Sequence, residues 1–238
     1  MNQEQVWDEI AKVWKGYRCH PVDEVVNFLR NKKGKILDLC CGSGRNFIKI
    51  DGNFYGVDFS EEMLKYAKEK ADKLGIEAFI QKTEADKLPF PAGFFDAAVF
   101  IDALHCIESK EAREKSLHEL FRVLKPGCEA MISVWNKEQE EFKDKEKEIH
   151  VKWKINEKVC SRYYYLYDKK EILDLLNLVG FKIEEIFETS RFRSENLDSD
   201  QEPKKEQKVL DKREQAEEKI GHPGKSIVVR VRKPNQNI

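Results

Sequence analysis

Short apolar runs alternate with segments of helical periodicity along much of the chain, and this pattern predicts an α/β fold. Such runs are typical of parallel strands that are covered by helices on both faces. Strands are predicted at residues 36–39, 53–58, 79–80, 94–101 and 130–135, followed by two more at 181–189 and 226–232. The strand at 79–80 is short and is expected at the sheet edge, where an uncovered apolar strand favours a partner.

Two amphipathic segments precede the first strand, so residues 1–34 are predicted to form N-terminal cap helices. In residues 4–15, apolar side chains recur at helical spacing and include Trp7 and Trp14. This helix either covers the sheet or forms a lid over a bound molecule. A second helix is predicted at residues 22–32, and a later one at 169–179 is closed by Gly180.

The segment from Ile36 to Phe47 is predicted to be a strand, a glycine turn and the start of a helix, which is the unit that holds nucleotides in α/β folds. Gly42 and Gly44 permit the tight turn because they lack a Cβ atom. A dinucleotide fingerprint needs a third glycine where Phe47 stands, and a phosphate-binding loop needs a Gly-Lys-Ser/Thr step that this turn lacks. The turn therefore suits neither a dinucleotide nor a nucleoside triphosphate.

Two acids on the predicted strands that flank this turn indicate a different ligand. Asp38 lies in the first strand and Asp58 ends the second, twenty residues later. An acid at that offset accepts hydrogen bonds from ribose hydroxyls. Two carboxylates without a phosphate-binding lysine suit an adenosine cofactor that carries a sulfonium and an ammonium. S-Adenosylmethionine has these groups.

These motifs resemble the class I S-adenosylmethionine-dependent methyltransferases in order through residue 135. The resemblance implies a Rossmann-like fold with a mostly parallel seven-stranded sheet, helices on both faces and a cofactor-binding half at residues 35–135. In the family, an acid after the third strand faces the adenine amino group, and either Glu84 or Asp86 holds that place here. The implied cofactor-binding residues are Asp38, Cys40, Gly42, Gly44, Asp58, Phe59, Met63, Glu84, Ala85 and Ile101.

The composition of the chain bears on its domain organisation, its location and the kinds of site it can hold. The 238 residues are predicted to form a single methyltransferase domain, residues 1–238, and the net charge of −1 provides no global field that would attract nucleic acid. The charged fraction of 37% argues against a membrane span, and the first residues lack the features of a signal peptide, so the cytoplasm is the expected location. Six scattered cysteines predict neither a metal site nor a disulfide framework.

The end of the fourth strand is where this class places the methyl acceptor. Enzymes that methylate exocyclic amines carry an Asp/Asn-Pro-Pro-Tyr/Phe tetrad there, whereas this chain has Asp102-Ala103-Leu104-His105. Methylation of the adenine amine is therefore disfavoured, and oxygen or small-molecule acceptors are favoured. His105 is a candidate base or orienting donor, with a purely structural role as the alternative.

Further segments resemble one subfamily, the tRNA wobble-uridine carboxymethyl methyltransferases. They are residues 6–11 with Arg18-x-x-Pro21, the Leu104-His105 step and the run Arg162–Tyr167. Members of the subfamily convert the 5-carboxymethyl group of the wobble uridine into its methyl ester. The resemblance spans residue 6 to about residue 232 and implies that the tRNA anticodon loop is a partner.

The subfamily's reaction implies roles for the residues at its motifs. A carboxylate is already ionised at neutral pH, so it needs alignment and partial desolvation rather than a strong base. Because arginine grips such anions well, Arg18 and Arg162 are the implied anion holders, with His105 orienting the acceptor. The implied substrate-binding residues, which would stack an anticodon base unless they form a core patch, are Tyr17, Tyr163, Tyr165 and Tyr167.

The sequence also predicts two insertions in the methyltransferase fold and one protein partner. Residues 136–168 are predicted to be a substrate-side insertion, and residues 191–225 a charged insertion whose composition is compatible with disorder. Because family members work with a small zinc-binding activator subunit, we expect such a subunit at the edge formed by the third strand. Two other functions stay open from the sequence: a small-molecule methyltransferase and a catalytically inactive cofactor-binding subunit.

Overall fold

A computed structural model describes residues 1–17, 19–155, 157–190 and 225–235. The strands in these ranges are β1 (Lys33–Leu39), β2 (Asp51–Asp58), β3 (Ala78–Lys82), β4 (Phe95–Phe100), β5 (Leu124–Trp135), β6 (Glu148–Ile155), β7 (Lys158–Tyr165), β8 (Lys182–Ser190) and β9 (Lys225–Arg232). Seven of them form one sheet in the order β3-β2-β1-β4-β5-β9-β8. The pairs among β1 to β5 are parallel, whereas β9 is antiparallel to both β5 and β8. The predicted mostly parallel seven-stranded sheet is confirmed.

Helices cover both faces of this sheet. They are α1 (Gln3–Tyr17), α2 (Asp23–Arg30), α3 (Glu61–Leu74), α4 (Lys110–Val123) and α5 (Lys169–Val179). Alternate residues of β1 face opposite sides, as the pleat requires. Leu37 packs in a buried cluster with side chains of α4 and α5, whereas Ile36 packs in a second cluster with side chains of α2 and α3.

The helix starts follow local capping chemistry. The Ser60 hydroxyl accepts the Met63 N–H at 3.2 Å, and Asp168 caps α5 by accepting the Glu171 N–H at 2.8 Å. Each of these contacts satisfies an N–H group that the first turn of a helix leaves without a partner. Gly180 closes α5 with a φ of 104°, a value that favours glycine.

The predicted helix after the glycine turn is absent from the structure. Residues 40–50, all described, connect β1 to β2 through turns and extended chain. Gly42 and Gly44 have φ values of 52° and 78°, which are incompatible with a continuing right-handed helix. A Cβ atom on Gly44 would lie 3.0 Å from the Phe47 ring, so that bulky ring fills the space beside the turn. Phe47 instead packs against Phe54 with 5.1 Å between ring centroids.

The short third strand lies at the sheet edge, as predicted. β3 pairs with β2, and β8 forms the opposite edge of the sheet. Phe79 on β3 is 48% exposed and stacks on Tyr55 with 4.7 Å between centroids. This edge therefore combines an apolar ring with a row of main-chain groups that β2 does not pair.

A separate hairpin of β6 and β7 lies within the region predicted as the substrate-side insertion, and α1 bridges it to α3. Gln3 donates to the Ser161 carbonyl and accepts the Tyr163 N–H. On the other side, Asp8 accepts the Ser60 hydroxyl at 2.6 Å. The predicted charged insertion, 191–225, lies outside the described residues apart from Lys225. In the part of the chain that is described, no helix has the length and apolarity to cross a bilayer.

Candidate active site

A cavity of about 370 Å³ opens at the carboxyl ends of β1, β2 and β4. The open edge of a parallel sheet at this point is where α/β folds bind ligands. Eight of the predicted cofactor-binding residues line the cavity: Cys40, Gly42, Asp58, Phe59, Met63, Glu84, Ala85 and Ile101. Asp86 lines it too, so the position of the adenine acid stays open between Glu84 and Asp86.

Asp58, at the end of β2, is fixed by main-chain donors. Its Oδ2 accepts the Gly42 N–H at 2.9 Å, and its Oδ1 accepts the Ser60 N–H at 3.0 Å. Burial raises the pKa of Asp58 to about 6, although these N–H groups oppose that rise by favouring the ionised form. Each carboxylate oxygen has a second lone-pair site, so Asp58 retains acceptor capacity for ribose hydroxyls.

Two predicted cofactor residues lie behind the cavity wall rather than in it. Asp38 is fully buried, and its Oδ1 accepts the Asn46 side-chain N–H at 3.1 Å. Burial raises the pKa of Asp38 to about 7. Gly44 sets the turn and packs closely on Ala67 of α3. Both residues shape the glycine turn and are not among the residues that line the cavity, so their contact with the cofactor stays a prediction.

The residues present fit S-adenosylmethionine. Asn46, which the sequence analysis missed, lines the cavity, and its Oδ1 is buried without a hydrogen-bond partner among the described residues. A buried carbonyl oxygen of this kind is costly unless a ligand donor reaches it, and the methionine ammonium is such a donor. Asp58 therefore has acceptors for the sugar of the cofactor, and Asn46 Oδ1 has one for its amino-acid end.

An ion pair that the sequence analysis also missed spans the cavity wall. Arg45 Nη2 lies 3.1 Å from Asp102 Oδ2, and both residues line the cavity. The sequence carried one signal for each residue, because Arg45 directly follows the glycine turn and Asp102 directly follows the fourth strand. The N-terminal helix contributes too, since Gln3, Trp7 and Trp14 line the cavity. The lid alternative for this helix thus has a geometric basis.

His105 is not among the residues that line the cavity, and its role in orienting the acceptor stays a prediction beside the structural alternative. It is completely buried in a short turn after β4, 5.0 Å from the Trp135 ring and 5.7 Å from the Tyr164 ring between centroids. The Trp135 N–H lies 3.4 Å from His105 Nδ1. In this position the imidazole packs between aromatic rings and supports the end of β5.

Arg162 occupies an aromatic box that includes Trp14, a residue of the cavity wall. Its guanidinium carbon lies 4.5 Å from the Trp153 ring centroid, 5.4 Å from that of Trp14 and 5.5 Å from that of Tyr164. The side chain is 2% exposed, and its Nε and Nη1 have no hydrogen-bond acceptor among the described residues. Arg162 does not line the cavity itself, but Trp14 does. The other predicted anion holder, Arg18, lies outside the described residues.

The four predicted substrate tyrosines are distributed over two places, neither of them in the cavity wall. Tyr17 packs edge-on against Trp153 at the end of α1. Tyr163 and Tyr167 are 4% and 2% exposed, and Tyr165 packs its ring against both Arg113 and Tyr167. The packing of these three tyrosines of β7 and its continuation favours the core-patch alternative, and their stacking of a base stays a prediction.

The cysteines show no sign of nucleophilic or metal chemistry. All six are free thiols, and burial raises the pKa of Cys40 and Cys41 well above the usual range. A thiol held in its neutral form is a poor nucleophile. Within the described ranges, no three His, Cys, Asp or Glu side chains cluster as ligands of a metal ion would.

Comparison with known proteins agrees with this geometry. A family model described as a methyltransferase domain matches residues 36–127, which contain the glycine turn, both acids and β4. Residues 36–127 thus match a methyltransferase domain, and the chain resembles class I S-adenosylmethionine-dependent methyltransferases. The match ends in β5, so the hairpin and the last two strands of the methyltransferase lie outside it.

The curated relatives of this chain have names that give different methyl acceptors. A tRNA (carboxymethyluridine(34)-5-O)-methyltransferase, alkbh8 of Xenopus tropicalis, is 34% identical over 146 residues, covering 60% of this chain and 22% of that protein. A 2-phytyl-1,4-naphtoquinone methyltransferase of Nostoc punctiforme is 35% identical over 140 residues, covering 56% of this chain and 54% of that protein. The chain thus spans between about a fifth and about half of the length of these relatives.

Solved structures share the fold over nearly the whole length. An S-adenosylmethionine-dependent methyltransferase of Methanosarcina mazei has a TM-score of 0.66 at 19% identity, covering 91% of this chain and all of that one. A structure of the Haloferax volcanii Trm112 methyltransferase activator in complex with a methyltransferase gives a TM-score of 0.66 at 16% identity, covering 100% of this chain and 98% of that one. Similarity at this level shows the fold alone.

Proposed function

We propose that this methyltransferase forms the methyl ester of 5-carboxymethyluridine at the tRNA wobble position. The observation that carries the proposal is Arg162, a buried cation whose Nε and Nη1 find no acceptor among the described residues. A buried charge without a counter-ion is costly, and a substrate carboxylate would offset that cost. The resemblance to carboxymethyluridine methyltransferases supports the same substrate class.

The reaction requires little proton chemistry from the chain. When bound, S-adenosylmethionine supplies an electrophilic methyl group on sulfur, and the carboxylate oxygen takes that methyl as the S–C bond breaks. The task of the protein is to exclude water and to align the oxygen. Arg162 would hold one carboxylate oxygen through a charge-assisted hydrogen bond and leave the other free to attack.

Access to Arg162 from the cavity would require a movement of Trp14. This residue of α1 lines the cavity, and its ring centroid lies 5.4 Å from the Arg162 guanidinium carbon and 5.1 Å from the Trp7 ring. We therefore propose that α1 serves as a lid, which a flipped-out wobble base displaces locally. Removal of a base from its stack is a common way for enzymes to reach a nucleobase atom.

Contacts with the tRNA backbone would come from a small set of lysines. Arg230 and Arg232 form ion pairs within the sheet, and Lys233 donates to main-chain carbonyls, so these cations serve the fold. Lys152 and Lys154 are exposed on one face of β6. With a net charge of −1, binding would depend on such local clusters and would weaken with salt.

The edge of the sheet at β3 is the proposed site for a small zinc-binding activator subunit. Phe79 is 48% exposed there, and main-chain pairing with an added strand would cover the edge. The Haloferax volcanii structure contains an activator bound to its methyltransferase, which supports a partner of this kind. A cytoplasmic location, where tRNA is used, is part of the same proposal.

Nucleoside mass spectrometry tests the substrate. The chain, with and without a candidate activator, is incubated with S-adenosylmethionine and tRNA that carries 5-carboxymethyluridine. The expected product is the methyl ester at the wobble position, with no product on tRNA that lacks the carboxymethyl group. The quinone methyltransferase relative favours a small-molecule acceptor as the second candidate. Methylation of a quinol without any methyl ester on tRNA would favour that candidate instead, and cofactor binding without either product would indicate an inactive subunit.

A further inference from the structure

Arg113, at the start of α4, is a buried arginine to which the proposed reaction gives no role. The residue is 3% exposed and is not part of the cavity wall. Its Nη1 donates to three uncharged acceptors: the Ile107 carbonyl at 2.8 Å, the Glu108 carbonyl at 2.9 Å and the Tyr163 hydroxyl at 3.0 Å. A carboxylate would offset the desolvation of a buried guanidinium better than these groups do, so stability alone is a weak reason for an arginine here.

The two carbonyls belong to the cavity wall. Ile107 and Glu108 follow the short turn after β4, and both line the cavity next to Ser109, the N-cap of α4. The Arg113 side chain holds these two successive carbonyls with one nitrogen. Arg113 therefore helps to set the position of the cavity wall between β4 and α4.

Arg113 also contacts β7. Besides the hydrogen bond to the Tyr163 hydroxyl, its guanidinium carbon lies 4.0 Å from the Tyr165 ring centroid. The Tyr163 N–H donates to Gln3 Oε1 at 3.0 Å, so α1 holds the same residue through its main chain. Because β7 pairs only with β6 among the described strands, side-chain contacts of this kind fix the hairpin relative to the cavity.

Arg162 precedes Tyr163 in β7, and successive side chains of a strand project from opposite faces. The Tyr163 hydroxyl reaches Arg113 on one face, whereas the Arg162 guanidinium carbon lies 4.5 Å from the Trp153 ring centroid on the other. Successive Cα atoms are only about 3.8 Å apart, so a shift of Tyr163 moves Arg162 with it. Arg113 thus acts on the strand that carries the proposed holder of the substrate carboxylate.

We propose that Arg113 is a positioning residue for the methyl acceptor. Through Tyr163 it holds β7, and with it Arg162, in a fixed relation to the cavity wall at Ile107 and Glu108. The inference rests on the proposed function, in which Arg162 binds the substrate carboxylate. It matters for the rate because a misplacement of about 1 Å can lower the rate of an aligned reaction by about 100-fold. It also gives the Tyr163 hydroxyl a structural link as its role, in place of base stacking by the ring.

A double-mutant cycle with R162M tests whether Arg113 acts through Arg162. We expect R113M to lower kcat/KM for carboxymethyluridine tRNA by about tenfold in the wild-type background. Y163F should act in the same direction but less strongly, because it removes one of the three hydrogen bonds and keeps the ring. In the R162M background, each change should alter kcat/KM by less than about threefold, since the side chain that they position is gone.

The side-chain Nε–Hε signal of Arg162 in an NMR spectrum gives a second readout that needs no tRNA. The rings of Trp14, Trp153 and Tyr164 surround this guanidinium, so its ring-current shift reports its place in the aromatic box. The signal is assigned by its loss in R162M. R113M and Y163F should both shift it, and if R113M does not fold, Y163F carries the same test.

R122M is the matched control on the same helix. Arg122 donates to the Phe90 carbonyl at 2.6 Å and the Leu88 carbonyl at 3.0 Å, so it too links α4 to a neighbouring loop. None of these three residues is part of the cavity wall. R122M should therefore leave both the Arg162 signal and kcat/KM for tRNA close to those of the wild type, even where it lowers the melting temperature.

The outcomes separate this inference from the proposed function. If R113M lowers kcat/KM equally in both backgrounds, or leaves the Arg162 signal unchanged, Arg113 does not act through β7 and the inference is wrong, whereas the proposed function stands. If R162M keeps full activity on tRNA, or the wild-type chain forms no methyl ester, the proposed function fails instead. The Arg162 signal then decides by itself whether Arg113 positions this strand.

Discussion

The proposed donor end and the proposed acceptor end of the site are built in different ways. At the donor end, main-chain N–H groups of Gly42 and Ser60 fix Asp58 directly at the strand end. At the acceptor end, Arg162 is surrounded by rings that come from α1 and from the hairpin. One end is therefore set by the backbone of the sheet, and the other by the packing of side chains from separate segments.

This difference determines how easily each end of the site can change its conformation. A backbone-built site forms whenever the sheet forms, because its donors are the strand ends and turns themselves. The acceptor end requires α1 to be seated against both α3 and β7, through contacts such as Asp8 to Ser60 and Gln3 to Ser161. We therefore expect the donor end to be preformed and the acceptor end to be adjustable.

The largest effect is expected for D58A. We expect the Asp58 carboxylate to make two charge-assisted contacts to the ribose, each of about 1.5–3 kcal/mol, so the affinity of D58A for S-adenosylhomocysteine should fall by at least about 100-fold. The control is D51N, at the exposed start of the same strand, where Asp51 pairs with Lys33. A loss below about tenfold by calorimetry for a folded D58A variant would show that the strand end does not hold the sugar.

The donor end was also the part that the sequence predicted best. Apolar runs, paired glycines and an acid at a fixed offset are local signals, and eight of the ten predicted cofactor residues line the cavity. The helix predicted after the glycine turn is absent from the structure. The local sequence pattern does not specify the left-handed φ values of Gly42 and Gly44 or the position of the Phe47 ring beside the turn. A resemblance identifies the motif but does not place every side chain.

The acceptor end was predicted less well, for a physical reason. His105 and the tyrosines of β7 were chosen by position in a motif, yet their surroundings depend on where α1 and the hairpin pack. The Arg45–Asp102 pair joins residues 57 positions apart, and no sequence periodicity predicts such a contact. Long-range side-chain packing therefore accounts for most of what the sequence left out.

The second prediction addresses the acceptor end. R162M keeps most of the packing volume in the aromatic box and removes the charge, so kcat/KM for carboxymethyluridine tRNA should fall by about 100-fold. The affinity for S-adenosylhomocysteine should change by less than about threefold, because Arg162 does not line the cavity. The melting temperature should be unchanged or higher, since a buried charge without a partner is lost.

A matched control is R30M on α2, at an exposed position away from the box. Retention of full tRNA activity by R162M would remove the main support for a carboxylate acceptor. If R162M lowers the affinity for the cofactor as much as it lowers the activity on tRNA, the two ends of the site are not independent and the contrast drawn between them is wrong.

The third prediction concerns pH and the buried acid behind the donor end. Burial raises the pKa of Asp38 from 3.8 to about 7, so the folded chain retains a proton that the unfolded chain releases. Stability is therefore greatest below about pH 4 for this group and is lost as the pH rises towards 7, by on the order of 4 kcal/mol. D38N should flatten the fall in unfolding free energy between about pH 4 and 7, measured by urea titration without cofactor.

The exposed Asp72 of α3 supplies the control, because D72N should leave that pH profile as it is in the wild type. Asp58 acts in the same direction through its pKa of about 6, so D38N should reduce the slope without abolishing it. A profile identical to that of the wild type would show that Asp38 ionises normally in the folded chain.

The smallest effect on catalysis is expected for H105F. The Phe ring can keep the stacking between Trp135 and Tyr164, but the Trp135 N–H loses the ring nitrogen 3.4 Å away. We expect a loss of about 1–3 kcal/mol in unfolding free energy, the cost of a buried donor left without its acceptor. Because His105 lies outside the cavity wall, turnover should change by less than about tenfold. The contrary result would be a roughly hundredfold or larger loss of turnover with normal cofactor affinity and no recovery in H105Q. His105 would then act at the acceptor, and the short turn after β4 that carries it would have to open during the reaction.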